Sequence, residues 1–137
     1  METEEKEVAA AIIKNSKCQV LIVRRLQEEK GVGSATLSWT FPGGEVEEKE
    51  APEDAVKRNV LDQLNVVVEI LHLITERKHP EFPAYIYYYE CKLESAETSL
   101  KLNTAEISDF KWVKPEEIKN YLTSDFDPTV KEYVLSS

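Results

Sequence analysis

A mixed α/β sandwich is the fold class that this 137-residue sequence predicts. Three observations carry the expectation. Strand-forming runs stand before and after one strongly periodic helical segment. A second helical segment closes the chain. Two pairs of strand signals are separated by short polar or proline-rich connections, which demand antiparallel neighbours and exclude a doubly wound parallel sheet. A mixed, largely antiparallel sheet covered by helices on both faces satisfies all three.

Residues 8–13 and 19–23 are apolar, β-prone runs either side of Lys14-Asn15-Ser16-Lys17, and read as a hairpin. Residues 27–34 carry charges and two glycines and read as an exposed loop. Apolar alternation resumes at Leu37-Ser38-Trp39-Thr40-Phe41 and meets a tight turn at Pro42-Gly43-Gly44. Over residues 52–64 the period becomes helical, because Ala55, Val56, Val60, Leu61 and Leu64 recur at steps of three and four. Pro52 suits a first helical turn, Glu53 and Asp54 complement the positive end of the helix, and Asn65 suits a left-handed stop. Residues 66–75 and 84–93 are the strongest strand signals, with His79-Pro80-Glu81-Phe82-Pro83 as the loop between them. A polar stretch over 94–104 precedes one more strand over 107–113. Helix starts follow at Pro115 and after Pro128.

Composition bounds what such a domain does. Seventeen Lys and Arg against 26 Asp and Glu give a formal charge of −9, with 42% hydrophobic and 31% charged residues. One domain over residues 1–137 is expected. The negative balance opposes long DNA or RNA but leaves a small metal-complexed nucleotide open as a partner. No apolar run is long enough to span a bilayer and the acidic start is unlike a secretory leader, so a cytoplasmic protein with no membrane contact is expected. Cys18 and Cys91 are far apart, form no CxxC pair, and read as small buried hydrophobes. His72 and His79 read as structural.

The chemistry concentrates in residues 44–66, GEVEEKEAPEDAVKRNVLDQLNV. Gly44 is followed after five residues by Glu50, after seven more by Arg58, then by Val60 and Val66. This spacing resembles the Nudix box, G-x5-E-x7-R-E-U-x-E-E-x-G-U with U a bulky aliphatic, and Trp39-Thr40-Phe41-Pro42-Gly43-Gly44 resembles the strand and double glycine that introduce it. The resemblance implies a Nudix-type α/β/α sandwich and, from Arg24-Arg25, the loop before the aromatic strand and Asp125-Phe126-Asp127-Pro128, a MutT-like phosphoanhydride hydrolase. Its substrate would be a nucleoside triphosphate, or a nucleoside diphosphate linked to another group.

The resemblance further implies Mg²⁺ or Mn²⁺, weakly bound or delivered with the substrate, near Asp62 and the Gly43 carbonyl. Hard divalent ions take oxygen ligands and offset charge while water attacks phosphorus. Glu50, Arg58, Asp62 and Glu106 take the catalytic positions. Arg24, Tyr87 and Asp127 are the matching substrate contacts. The box departs from its pattern where it matters most: Asn59 and Gln63 stand at glutamate positions, so the helix face falls from three negative charges to one, on Asp62. Slow turnover follows, with a catalytically silent nucleotide- or protein-binding module as the alternative. Lys49 replaces a glycine and implies a left-handed or rerouted loop, and Ala51 removes the usual Ser or Thr helix cap.

Overall fold

The structure, a computed structural model, describes residues 6–30, 36–79, 84–94, 100–121 and 128–135, with the backbone alone at 27–30 and 36–38. Its elements in chain order are β1 (Lys6–Ile13), β2 (Val20–Lys30), β3 (Thr36–Thr40), β4 (Gly43–Glu45), α1 (Pro52–Leu64), β5 (Val68–Lys78), β6 (Ala84–Leu93), β7 (Ile107–Val113), a 3-10 turn (Pro115–Asn120) and α2 (Pro128–Leu135). Four strands form one sheet in the order β4-β1-β6-β5, and three form a second in the order β3-β2-β7. Among the described residues only β1 and β6 run parallel, and the other strand pairs are antiparallel. The sheets are thus mixed and largely antiparallel, as the sequence predicts.

Alternation along the strands divides the core into two layers. Ala9, Ala11 and Ile13 of β1, with Leu21 and Val23 of β2, pack against Ala55, Val56, Val60 and Leu64 of α1. Their neighbours Ala10, Ile12, Val20 and Ile22 pack on the opposite side with Ile118, Val130 and Val134. Helices therefore cover both faces, which defines an α/β/α sandwich. A strand buried on both faces has no polar alternation to keep, which is why β1 reads as the unbroken run AAAII.

Several boundaries differ from expectation. The first two strands do not form a hairpin: β1 pairs with β4 and β6, β2 pairs with β3 and β7, and the described link between them is the single bridge Lys14–Val20. The polar turn carries the chain from one sheet to the other, a path that a short connection permits as readily as a hairpin. The expected loop at residue 27 is also displaced, because β2 continues to Lys30 and pairs with Thr36 and Leu37 beyond a register shift. Gly43-Gly44 is a short strand against Ala9 and Ala10 rather than a bare turn. β5 runs on to Lys78, past its apolar signal, because its partner β6 continues to Tyr85 opposite it.

Helix α1 has the predicted bounds. Asn65 ends it in the left-handed conformation (φ 55°) with its N–H returned to the Leu61 carbonyl. Cys91 is buried, and burial pushes its thiol up to about 12. Cys18 is exposed at a left-handed turn position (φ 60°), contrary to expectation, because the crossing between sheets lies at the surface. Among the described residues, no helix is long and apolar enough to cross a membrane.

Candidate active site

The site is built where β4 passes under α1. Gly43 has φ 144°, and a Cβ there would lie 2.1 Å from the Ala9 carbonyl oxygen, so only glycine lets β4 approach β1 this closely. Gly44 makes room on the other side. A Cβ there would stand 2.6 Å from Asn59 Oδ1, so a side chain at this position would have to push the Asn59 amide aside. The loop then rises through Lys49, which adopts the left-handed conformation (φ 67°) that its sequence position implies.

Glu50 and Arg58, eight residues apart, meet as a two-armed clamp. Arg58 Nε donates to Glu50 Oε2 at 2.9 Å, and Arg58 Nη2 donates to Glu50 Oε1 at 3.0 Å and to the Glu45 carbonyl at 3.0 Å. Glu50 Oε1 also accepts the Glu47 N–H at 3.0 Å. Hydrogen bonds from Arg58, then from the Glu47 backbone, hold the Glu50 carboxyl below its usual pKa. The clamp thus ties strand, loop and helix into one unit, and both Glu50 oxygens are engaged in it.

Asn59, Asp62 and Gln63 follow on the same helical face. Asn59 Nδ2 donates to the Ala55 carbonyl at 2.9 Å and reaches the Glu45 carbonyl at 3.4 Å. Gln63 faces Gly43 at two points: its Nε2 donates to the Gly43 carbonyl at 2.8 Å, and its Oε1 accepts the Gly43 N–H at 3.3 Å. Asp62 is exposed, and Arg58 is held in its protonated state first by its hydrogen bonds to Glu50, with the charge of Asp62 the smallest of the contributions.

The remaining expected site residues are spread wider. Glu106 is exposed in the turn before β7. That turn is fastened to the end of α1 by Asn103, whose Nδ2 donates to the Asp62 carbonyl at 2.7 Å and whose N–H donates to the Gln63 carbonyl at 2.9 Å. Asn103 therefore satisfies carbonyls that a helix end leaves open. The sequence holds no spacing signal for this role. Tyr87 is half-buried on the α1 side of β6, where its hydroxyl donates to Glu7 Oε1 at 2.8 Å. That bond, then burial, pushes the Tyr87 hydroxyl up to about 12.

Arg24 is exposed and pairs with Trp39 and Asp109 across β2, while its neighbour Val23 pairs with Phe110 on the α1 side. Alternation therefore places Arg24 on the face opposite Tyr87. Asp127 lies outside the described residues. Tyr89 is a further contact that sequence reading missed: its hydroxyl donates to Glu53 Oε1 at 2.6 Å and anchors the first turn of α1 to β6.

The donor set does not fit a resident divalent ion. A cation and an N–H donor both need an oxygen lone pair, and they repel one another. Here the amides of Asn59 and Gln63 direct N–H groups at the Glu45 and Gly43 carbonyls. Among the described residues, no group of three or more His, Cys, Asp or Glu side chains is gathered to hold a metal.

A strand, a double glycine, a loop clamped to a helix and a sandwich of this topology define an α/β/α domain of the Nudix type. The NUDIX domain model matches residues 5–134, and the chain belongs to that family. It is 35% identical over 80 residues to an 8-oxo-dGTP diphosphatase of Haemophilus influenzae, a stretch covering 58% of this chain and 55% of that protein. The chain thus spans about half the length of the curated relative it matches. Its fold is shared with the MutT protein of Methanosarcina mazei (TM-score 0.71, 19% identity, 99% of this chain and 94% of that one). It is also shared with a NUDIX hydrolase from Nitrosomonas europaea (TM-score 0.74, 19% identity, 99% and 73%). An ADP-ribose pyrophosphatase from Streptococcus suis is similar too (TM-score 0.69, 16% identity, 95% and 88%).

Proposed function

We propose that residues 1–137 act as one cytoplasmic domain that slowly hydrolyses a phosphoanhydride, in a nucleoside triphosphate or a nucleoside diphosphate linked to another group. The observation that carries this reading is the Glu50–Arg58 clamp, which keeps the double-glycine strand and α1 in register with Asp62 exposed beside it. Nudix hydrolases generally use divalent metals, and a metal-complexed nucleotide is the substrate form that suits this chain. Mg²⁺ commonly stays with phosphate oxygens and needs only one or two protein carboxylates, so Asp62 is enough to receive the complex. A net charge of −9 also favours a nucleotide whose phosphates are already partly neutralised.

In this reading water attacks phosphorus, a new P–O bond forms, the bridging P–O bond breaks, and two phosphate-terminated products leave. Glu106 takes the proton of the attacking water, Glu50 and Arg58 hold the loop, and Tyr87 and Asp127 contact the nucleotide, while Arg24, on the opposite face, takes no part in that contact. With one carboxylate where the box has three, turnover is expected to be low, since one preorganised electrostatic group is commonly worth about 10²–10³ in rate.

A second reading is favoured by a specific observation. The neutral amides of Asn59 and Gln63 are already hydrogen-bonded to backbone, which suits a module that binds a nucleotide or a protein without turnover. The test is a nucleotide panel in Mg²⁺ and Mn²⁺ with the parent chain, Asp62→Ala, and the double variant Asn59→Glu with Gln63→Glu. The hydrolase reading expects parent turnover that falls about 10²–10³-fold in Asp62→Ala. No parent turnover with gain in the double variant overturns it in favour of the silent module.

A further inference from the structure

We infer that an amide clasp has replaced a metal as the element that locks the box, with Gln63 as its centre. Gly43 is the backbone partner of this clasp. Its N–H and C=O both face Gln63, at 3.3 Å from Oε1 and 2.8 Å from Nε2, so the amide matches a donor and an acceptor together, much as an adjoining strand would. A carboxylate has only acceptor atoms. At this place it would keep the Gly43 N–H and repel the Gly43 carbonyl, and a cation between the two oxygens would be needed to reconcile them. With glutamine no cation is needed.

Asn59, one turn earlier, adds a weaker link: its Nδ2 donates to the Ala55 carbonyl of its own helix at 2.9 Å and reaches the Glu45 carbonyl of β4 at 3.4 Å. A Cβ at Gly44 would stand 2.6 Å from Asn59 Oδ1, so the Asn59 amide lies directly on β4. Clamp and clasp together fix the loop at both ends: Glu50 with Arg58 over the loop, and Gln63 with Gly43 beneath it. The two substitutions that weaken the catalytic face are thus the same two that make its shape independent of a bound ion.

The inference stands apart from turnover, because an ion arriving with a nucleotide does not have to touch Gly43. Thermal unfolding of the full chain in EDTA and in millimolar Mg²⁺ or Mn²⁺ tests it, alongside Gln63→Glu. The parent is expected to melt at the same temperature in all three. Gln63→Glu is expected to melt lower in EDTA at neutral pH. Its deficit should shrink as pH falls through the ordinary glutamate range of about 4.3, since a protonated carboxyl can again donate to the Gly43 carbonyl. A merely bulky or misfolded variant would show no such recovery.

If Gln63→Glu does not fold, the side-chain amide of Gln63 in the parent, read by NMR in EDTA, decides the matter. Slow solvent exchange of its Nε2 protons without metal supports the clasp. Exchange as fast as that of an exposed glutamine in EDTA, slowed only when Mg²⁺ is added, overturns it. Either result leaves the hydrolysis assay to judge the hydrolase reading by itself.

Discussion

Glu50 and Arg58 show how a single pair of side chains carries the scaffold while its neighbours lose their charge. The two positions were legible in the sequence only through the resemblance of their spacing to the Nudix box, and the structure sets this loop carboxylate against the second turn of the helix. The partner of Gln63 was not legible, since the contact joins residues 20 positions apart and depends on where a short strand lies. Periodicity reports which face a residue occupies, not which backbone group it meets. The clamp makes a pH prediction. Glu50 is held below its ordinary 4.5, so its contribution to stability is fully present above the unfolded pKa and is lost as pH falls through the folded one. Glu50→Gln should therefore melt below the parent at neutral pH, with a gap that narrows as pH falls through the depressed folded pKa. Denaturant unfolding across pH 3 to 7 measures this, and a gap that stays constant to the acid end would show that the charge of Glu50 contributes nothing.

At the level of elements, the helix was the most legible and the strand partners the least. Both ends of α1 agree with the sequence because each has a local cause, Pro52 at the start and a left-handed Asn65 at the stop. β6 and β7 were equally clear, since their β-branched and aromatic runs are bounded by polar residues. The assignment of β1 and β2 to different sheets was not, because pairing is decided by the whole topology rather than by the turn between them. The start of α1 also retains a weakness that the sequence announces. Ala51 sits in extended backbone (φ −74°, ψ 143°) and makes no side-chain cap. Ala51→Ser places a hydroxyl where it can accept an N–H of the first turn, and should raise stability by about 0.5–2 kcal/mol, read as a higher denaturation midpoint with an unchanged slope. No gain would mean that Tyr89 holding Glu53 already fixes that turn as firmly as a cap would.

For the whole molecule, the two sheets act as a wall between two cores, and the site belongs to one of them. Val60 is fully buried in the layer that seats α1 under the box, whereas Val134 is fully buried in the opposite layer with Ile118 and Val130. Damage to the first layer shifts the helix that presents Asp62 and Gln63; damage to the second reaches the site only through the strands. Val60→Ala and Val134→Ala each remove two methyl groups from close packing and should cost about 1–3 kcal/mol. Because, among the described residues, the two layers have no member in common, their effects should add to within about 0.5 kcal/mol in the double variant. Protection of the Gly43 amide against hydrogen exchange under native conditions should fall further in Val60→Ala than in Val134→Ala at matched loss of global stability, since local opening follows the packing beneath the segment. Strong coupling between the two valines, or equal loss of protection at Gly43, would show that the sandwich responds as one continuous core and that α1 has no layer of its own.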